Sequence, residues 1–226
     1  MLAVIKKELK SYLLSPIGYI FIGLFLIMFS ILFYNSIFAA GVAYFEYAFY
    51  DASTIMTFLI PVLTMRMFSE ERKNGTEQLL LTSPRSLVSI VFGKFFAAMI
   101  IVLITVLGTF MHFLVLKHFG SPDIRVALCT MFGFFLLCGA YVSFGMFASS
   151  ITENQIVASV LTIGVFILMW FLPGVSQEFY KFSLMYMFDH FPQGVIALNE
   201  VVRFVSFSIL FILLTIIVLQ RRKSVK

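Results

Sequence analysis

Charged residues make up only 12% of this 226-residue chain, against 61% apolar residues and a mean hydropathy of +1.03. A water-soluble globule carries about twice that share of charge, so the composition excludes one and assigns the chain to a bilayer. The formal charge of +5 does not indicate nucleic acid, because the bases stand at the ends of apolar runs instead of clustering on one face. Cysteine is nearly absent. Cys129 and Cys138 are nine residues apart in one apolar run, more than about 10 Å along a helix, so they cannot bridge each other and read as core thiols. The three histidines, His112, His118 and His190, have no metal-like spacing with acids or cysteines, and each reads as a polar helix-end residue. Gly93-Lys94 resembles the end of a phosphate loop, but no glycine stands five residues before Gly93 and Phe95 replaces the hydroxyl residue, so no ATP site is expected. No apolar run carries paired acids, a His cluster or a Ser/His arrangement, which argues against an integral-membrane enzyme.

What the chain has in abundance is long apolar runs. Six spans fit at 17–38, 52–68, 87–116, 126–149, 156–172 and 201–219, each near the roughly 20 residues that a hydrocarbon core of about 30 Å requires. Pro61 is expected to kink the second. Lys94 is the one clear ionisable residue inside a span, close enough to its end for the side chain to snorkel outward, so a coupled secondary carrier finds little support. Gly139, Ala140, Ser143 and Ala148 give the fourth span small faces for close helix packing.

With the N-terminus inside, Lys6, Lys7, Lys10, Arg66, Arg72, Lys73, Arg85, Lys94, Arg221, Arg222, Lys223 and Lys226 fall on the cytoplasmic side, and only Lys117, Arg125, Lys181 and Arg203 fall opposite. Twelve against four places both termini in the cytoplasm. The sequon Asn74-Gly75-Thr76 is then cytoplasmic and fortuitous. The first apolar run reads as a retained span, not a cleaved leader. Before it, residues 1–16 place Leu2, Ile5, Leu9, Tyr12 and Leu13 on one helical face and Lys6, Lys7 and Lys10 on the other. That pattern fits a helix in the membrane surface whose lysines anchor to anionic lipid headgroups, and it fits a plain topogenic flank as well. On the outer side, 41–51 (Tyr44, Phe45, Tyr47, Phe49, Tyr50) reads as an interfacial aromatic belt. Residues 173–200 are too polar for a crossing, with Glu178, Lys181, Asp189, His190 and Glu200, yet too aromatic for a free loop. Two half-length helices re-entering the outer leaflet would satisfy both facts; an interfacial amphipathic helix is the alternative.

The densest polar island is 69–86, SEERKNGTEQLLLTSPRS. Glu70, Glu71, Arg72 and Lys73 can pair at helical spacing with Arg66, and Gly75 breaks that helix. Asn74 and Glu77 have the spacing of a capping box, so a short helix is expected through Leu79, Leu80 and Leu81 until Ser83-Pro84 stops it. Two turns are too few to be stable without a docking surface, although a solvated loop would carry similar charges.

The order of an amphipathic N-terminal helix, a first span begun by SPIGY, a second ending in TMRMFSEERKNGTEQLLLTSPRS and a third beginning near IVFGKFF resembles the permease subunits of ABC-2 transporters. It is closest to the bacterial gliding-motility type. The specific part of the resemblance lies in residues 1–97. It implies an all-α integral membrane protein of the bacterial inner membrane, a single transmembrane domain over 1–226. Such a chain works as a dimer with a second permease chain, as an exporter driven by a cytoplasmic ATPase dimer. ATP and magnesium would sit on that partner, with no cofactor on this chain. By the same resemblance the coupling segment contacts the ATPase. Glu70, Glu71 and Arg72 would form the charged contact, Gly75 and Thr76 the bend, and Glu77, Gln78, Leu79, Leu80 and Leu81 the docking helix. Thr152, Glu153, Asn154 and Gln155 would make a second contact. The gliding-type likeness also leaves open a membrane anchor for an ATPase-powered envelope or motility assembly that moves no cargo.

Overall fold

In a computed structural model of the full chain, residues 1–40, 45–78, 85–174 and 183–225 are described, and these are helical with no strand. In chain order the helices are α1 (Leu2–Leu14), α2 (Pro16–Ala40), α3 (Phe45–Thr64), α4 (Ser69–Lys73), α5 (Leu87–Phe119), α6 (Ile124–Ile151), α7 (Gln155–Phe171), α8 (Leu184–Phe188) and α9 (Leu198–Val225). Six of the apolar stretches among them are long enough to cross a membrane. Side-chain acceptors fix several starts: Ser86 accepts from the Ser89 amide, Asp123 from Arg125 and Asn154 from Ile156.

Helix α6 is the centre of the bundle. Nineteen of its 28 residues are buried, including Gly139, Ala140, Ser143 and Ala148, so the small residues read from the sequence do lie in helix contacts. The closest approaches are elsewhere on α6. A Cβ on Gly145 would meet the Thr64 hydroxyl of α3 at 2.2 Å, and one on Gly133 would meet the Phe191 ring at 2.2 Å. By contrast α7 buries only Ala158, Thr162 and Phe166 of its 17 residues, as expected of a helix that faces lipid along most of its surface.

Phenylalanine supplies the core. Phe21, Phe25, Phe29 and Phe33 recur every fourth residue on α2 and are all buried, while Tyr19, Ile20, Leu24 and Ile27 on its other side are exposed. Edge-on contacts run from Phe29 to Phe49 at 4.9 Å and from Phe49 to Phe134 at 5.0 Å, linking α2, α3 and α6. Each such pair adds about 0.5–1.5 kcal/mol beyond area burial.

The fold corrects two expectations. The second span begins at Phe45, not near residue 52, and it absorbs much of the expected outer belt: Phe45 and Phe49 are fully buried core residues and Tyr47 and Tyr50 stay exposed, while Tyr44 lies outside the described residues. The belt reading failed because aromatics mark an interface and a packed helix start equally well. Helix α3 keeps Pro61 inside it and runs on to Thr64, with the Pro61 carbonyl accepting from the Met65 amide at 2.8 Å. Finally, His112 is no helix-end residue. Its Nε2 lies 2.8 Å from the Ser30 hydroxyl, with the rings of Phe29 and Phe33 edge-on beside it, so it joins α5 to α2 within the bundle.

In the segment before the last span, residues 175–182, with Glu178, Phe179, Tyr180, Lys181 and Phe182, lie outside the described residues. The chain then forms the five-residue α8 and a 3-10 turn at Phe191–Gln193, with Leu184, Met185, Met187, Phe188 and Phe191 buried against the bundle. Gly194 ends that turn at φ +77, a left-handed conformation that glycine takes without strain.

Candidate functional site

The polar island folds against the end of the bundle where α1, the break after α3, the start of α5 and the last turn of α9 converge. Helix α3 unwinds after Thr64, and α4 restarts the path at Ser69. The Ser149 hydroxyl of α6 holds this break together. It accepts from the Phe68 and Ser69 amides at 3.0 and 3.1 Å and donates to the Met65 carbonyl at 2.9 Å, so three backbone groups that the helix no longer serves are paired. Asn74 closes α4, Gly75 reverses the chain at φ +71, and helical geometry resumes at Glu77 and Gln78. The expected capping box is therefore corrected: Asn74 is a helix end, and the Glu77 carboxylate goes to Arg222 on α9 at 3.0 Å. Leu79, Leu80, Leu81 and Ser83-Pro84 lie outside the described residues.

Lys94 organises one side of the site. The reading of an outward-snorkelling lysine is wrong: its side chain is 3% exposed, and its Nζ donates to Glu8 of α1 at 3.0 Å and to Glu71 of α4 at 2.9 Å. The Phe68 ring lies 5.3 Å from the ammonium, and Lys7 stands 3.6 Å from both carboxylates. Two acids reach the ammonium before it can reach water, and one of them comes from a helix 86 residues away. Helix α1 is seated by two further contacts. The Val4 side chain sits where a Cβ on Gly93 would be 2.7 Å away, and the Tyr12 hydroxyl donates to the Leu63 carbonyl at 3.3 Å. Burial, with Glu8 nearby, holds the Tyr12 phenol above its ordinary pKa. Lys6, Lys7 and Lys10 stay on the exposed side of α1.

The other side is built on arginine. Arg72 forms an ion pair with Glu153 at 2.7 Å and donates to the Ile151 carbonyl at 3.0 Å, so the island meets the turn between α6 and α7. In that turn Asn154 caps α7, Gln155 is its first residue, and Glu153 keeps 62% of its side chain exposed. Arg66 and Glu70 form a two-pronged pair, both contacts at 2.7 Å, with about a third of each side chain in the open. Of the residues read as a coupling surface, Glu71 and Glu77 are thus turned inward, while Gly75, Thr76 and Gln78 are exposed beside Lys73 and Asn74. A cleft of ≈ 480 Å³ opens between Arg72, Gly75, Glu77, Glu153 and Arg222.

Sequence reasoning missed three contributors: Glu8, Ser149 and Arg222. Glu8 was legible only as the one acid in a basic helix, and Arg222 only as part of a basic end. Nothing marked Ser149.

The sequence profile of the ABC-2 family transporter proteins matches residues 2–221, nearly the whole chain. The chain belongs to the ABC-2 transporter family. It is therefore a multi-pass membrane permease subunit of an ABC transporter, not the ATPase, and the family associates with an ABC ATPase. No curated protein matches the chain. In this ABC-2 permease the charged end of the bundle carries a folded polar platform, and both turns expected to face a partner belong to it.

Proposed function

We propose that this ABC-2 permease is an exporter subunit of the bacterial inner membrane, with both termini cytoplasmic, working as a dimer driven by a separate cytoplasmic ATPase. ATP and magnesium bind on that partner. We place it in the gliding-motility branch of the family. The docking surface is the island from Glu70 to Leu81 together with Glu153, Asn154 and Gln155.

The observation that carries this reading is the 2.7 Å ion pair between Arg72 and Glu153. The two turns, far apart in sequence, form one surface that a single partner can engage. Within it Glu70, Glu71, Arg72 and Glu77 hold the platform in shape, and the exposed bend of Gly75, Thr76 and Gln78 offers the contact. A short helix needs such support, since two turns alone are unstable in water. ATP-driven closure of the partner pushes on the bend, and the ion pairs pass that movement to the spans.

Co-purification with the ATPase tests this. Thr76→Trp and Gln78→Trp change exposed positions, so the permease should fold and reach the membrane as the unaltered chain does while ATPase recovery falls at least about tenfold, as for loss of an interface anchor. Unchanged recovery and unchanged coupled hydrolysis in both variants would overturn it.

A further inference from the structure

The basic residues after a last span are ordinarily topology signals. Arg222 differs from that pattern. Only 22% of its side chain is exposed, and both ends of its guanidinium are engaged within the chain. Nη1 donates to Glu77 Oε1 at 3.0 Å, across 145 residues, and Nη2 donates to the Ile151 carbonyl at 3.2 Å. That carbonyl ends α6, where unpaired oxygens carry the negative end of the helix dipole. Arg72 donates to the same oxygen at 3.0 Å, and a carbonyl has lone pairs for both.

We propose that Arg222 is a positioning residue that fastens the coupling segment directly to α9 and α6, so that the last span moves with the segment without touching the ATPase. Among the described residues the segment is held on both sides of its bend, and Arg72 adds its bonds to Glu153 and the Ile151 carbonyl. Glu71 ties its first half to Lys94 on α5 and to α1, and Glu77 ties its second half to Arg222. Gly75 lies between them, at the bend. Any displacement of Glu77 either breaks a part-buried charge-assisted bond or carries α9 along. Arginine suits this place because its planar fork serves a carboxylate and a carbonyl at once, whereas a lysine ammonium is a single point charge. The consequence for transport rests on the docking reading above; the fastening is a property of this chain alone.

Spin labels at Thr76→Cys and Gln220→Cys, both exposed positions, report the fastening by pulsed electron resonance in lipid nanodiscs, with the buried Cys129 and Cys138 changed to Ala. A narrow distance distribution is expected in that background. Arg222→Gln should broaden it, and Arg222→Lys should give an intermediate width. Should Arg222→Gln fail to fold, Glu77→Gln removes the same bond from the other side and should broaden the distribution likewise. An unchanged width in Arg222→Gln or Glu77→Gln, or full retention by Arg222→Lys, would each overturn the proposal. In the assembled complex Arg222→Gln should keep ATPase binding and lower coupled hydrolysis about tenfold, the size of one lost charge-assisted hydrogen bond. Failure of the unaltered chain to bind an ATPase would sink the docking reading and leave the distance result standing.

Discussion

Lys94 and Glu70 are both charged residues in or beside a span, and their surroundings give them opposite weights. Glu70 and Arg66 are four residues apart with about a third of each side chain exposed, so their pair is worth about 0.5 kcal/mol. Lys94 is almost fully enclosed with Glu8 and Glu71, and removing one member strands the others. Lys94→Met should therefore lower thermal stability in detergent by about 3 kcal/mol, the low end for a broken buried pair. The triple change Lys94→Met, Glu8→Gln, Glu71→Gln should recover most of that loss, and Glu70→Gln should move the midpoint hardly at all. Equal losses for Glu70→Gln and Lys94→Met would contradict this ranking. One consequence is practical: Glu71→Lys would put a third cation beside Lys94 and Lys7, so it cannot serve as a clean probe of docking.

At the scale of elements, the crossing of α3 and α6 decides where the polar island emerges. Gly145 lets the Thr64 hydroxyl come close, and four residues further along α6 Ser149 secures the break from which α4 begins. Gly145→Val should force the helices apart and cost about 1–3 kcal/mol by overpacking, with a fall in the unfolding midpoint. Because the shift is passed to Ser149, amide exchange at Phe68 and Ser69 should also quicken. Exchange unchanged at those two amides would mean that the crossing and the break are independent. The elements themselves were legible in the sequence, because apolar runs of span length and breakers such as Gly75 and Pro16 act locally. The start of α3 was misplaced by seven residues because Phe45 and Phe49 look alike in a headgroup belt and in a core. The partners of Lys94, Glu77 and Ser149 were not legible, since each lies 80 or more residues away, apart from Glu71, and only the fold brings them together.

Across the whole molecule, polar contacts are concentrated at the end of the bundle that holds both termini, and the outer surface of α7 and much of α9 is left to apolar side chains such as Ile156, Val160, Leu168, Leu198 and Val202. Packing of small residues and phenylalanine holds the spans together in lipid, where apolar burial between helices gives little drive. The charged platform adds what packing cannot, namely a defined position for 69–78 relative to α1, α5, α6 and α9. Among the described residues the lipid-facing wall is made of apolar side chains of ordinary kind, and the platform is the feature specific to this permease. The most direct test is a photo-crosslinking residue at Thr76 or Gln78 in native membranes. A covalent adduct with the cytoplasmic ATPase subunit is predicted at both positions, and absent when the residue replaces Ile27 on the lipid-facing side of α2. Labelling of positions 76 and 78 from the outer face of the membrane, or no ATPase adduct at either, would contradict the account.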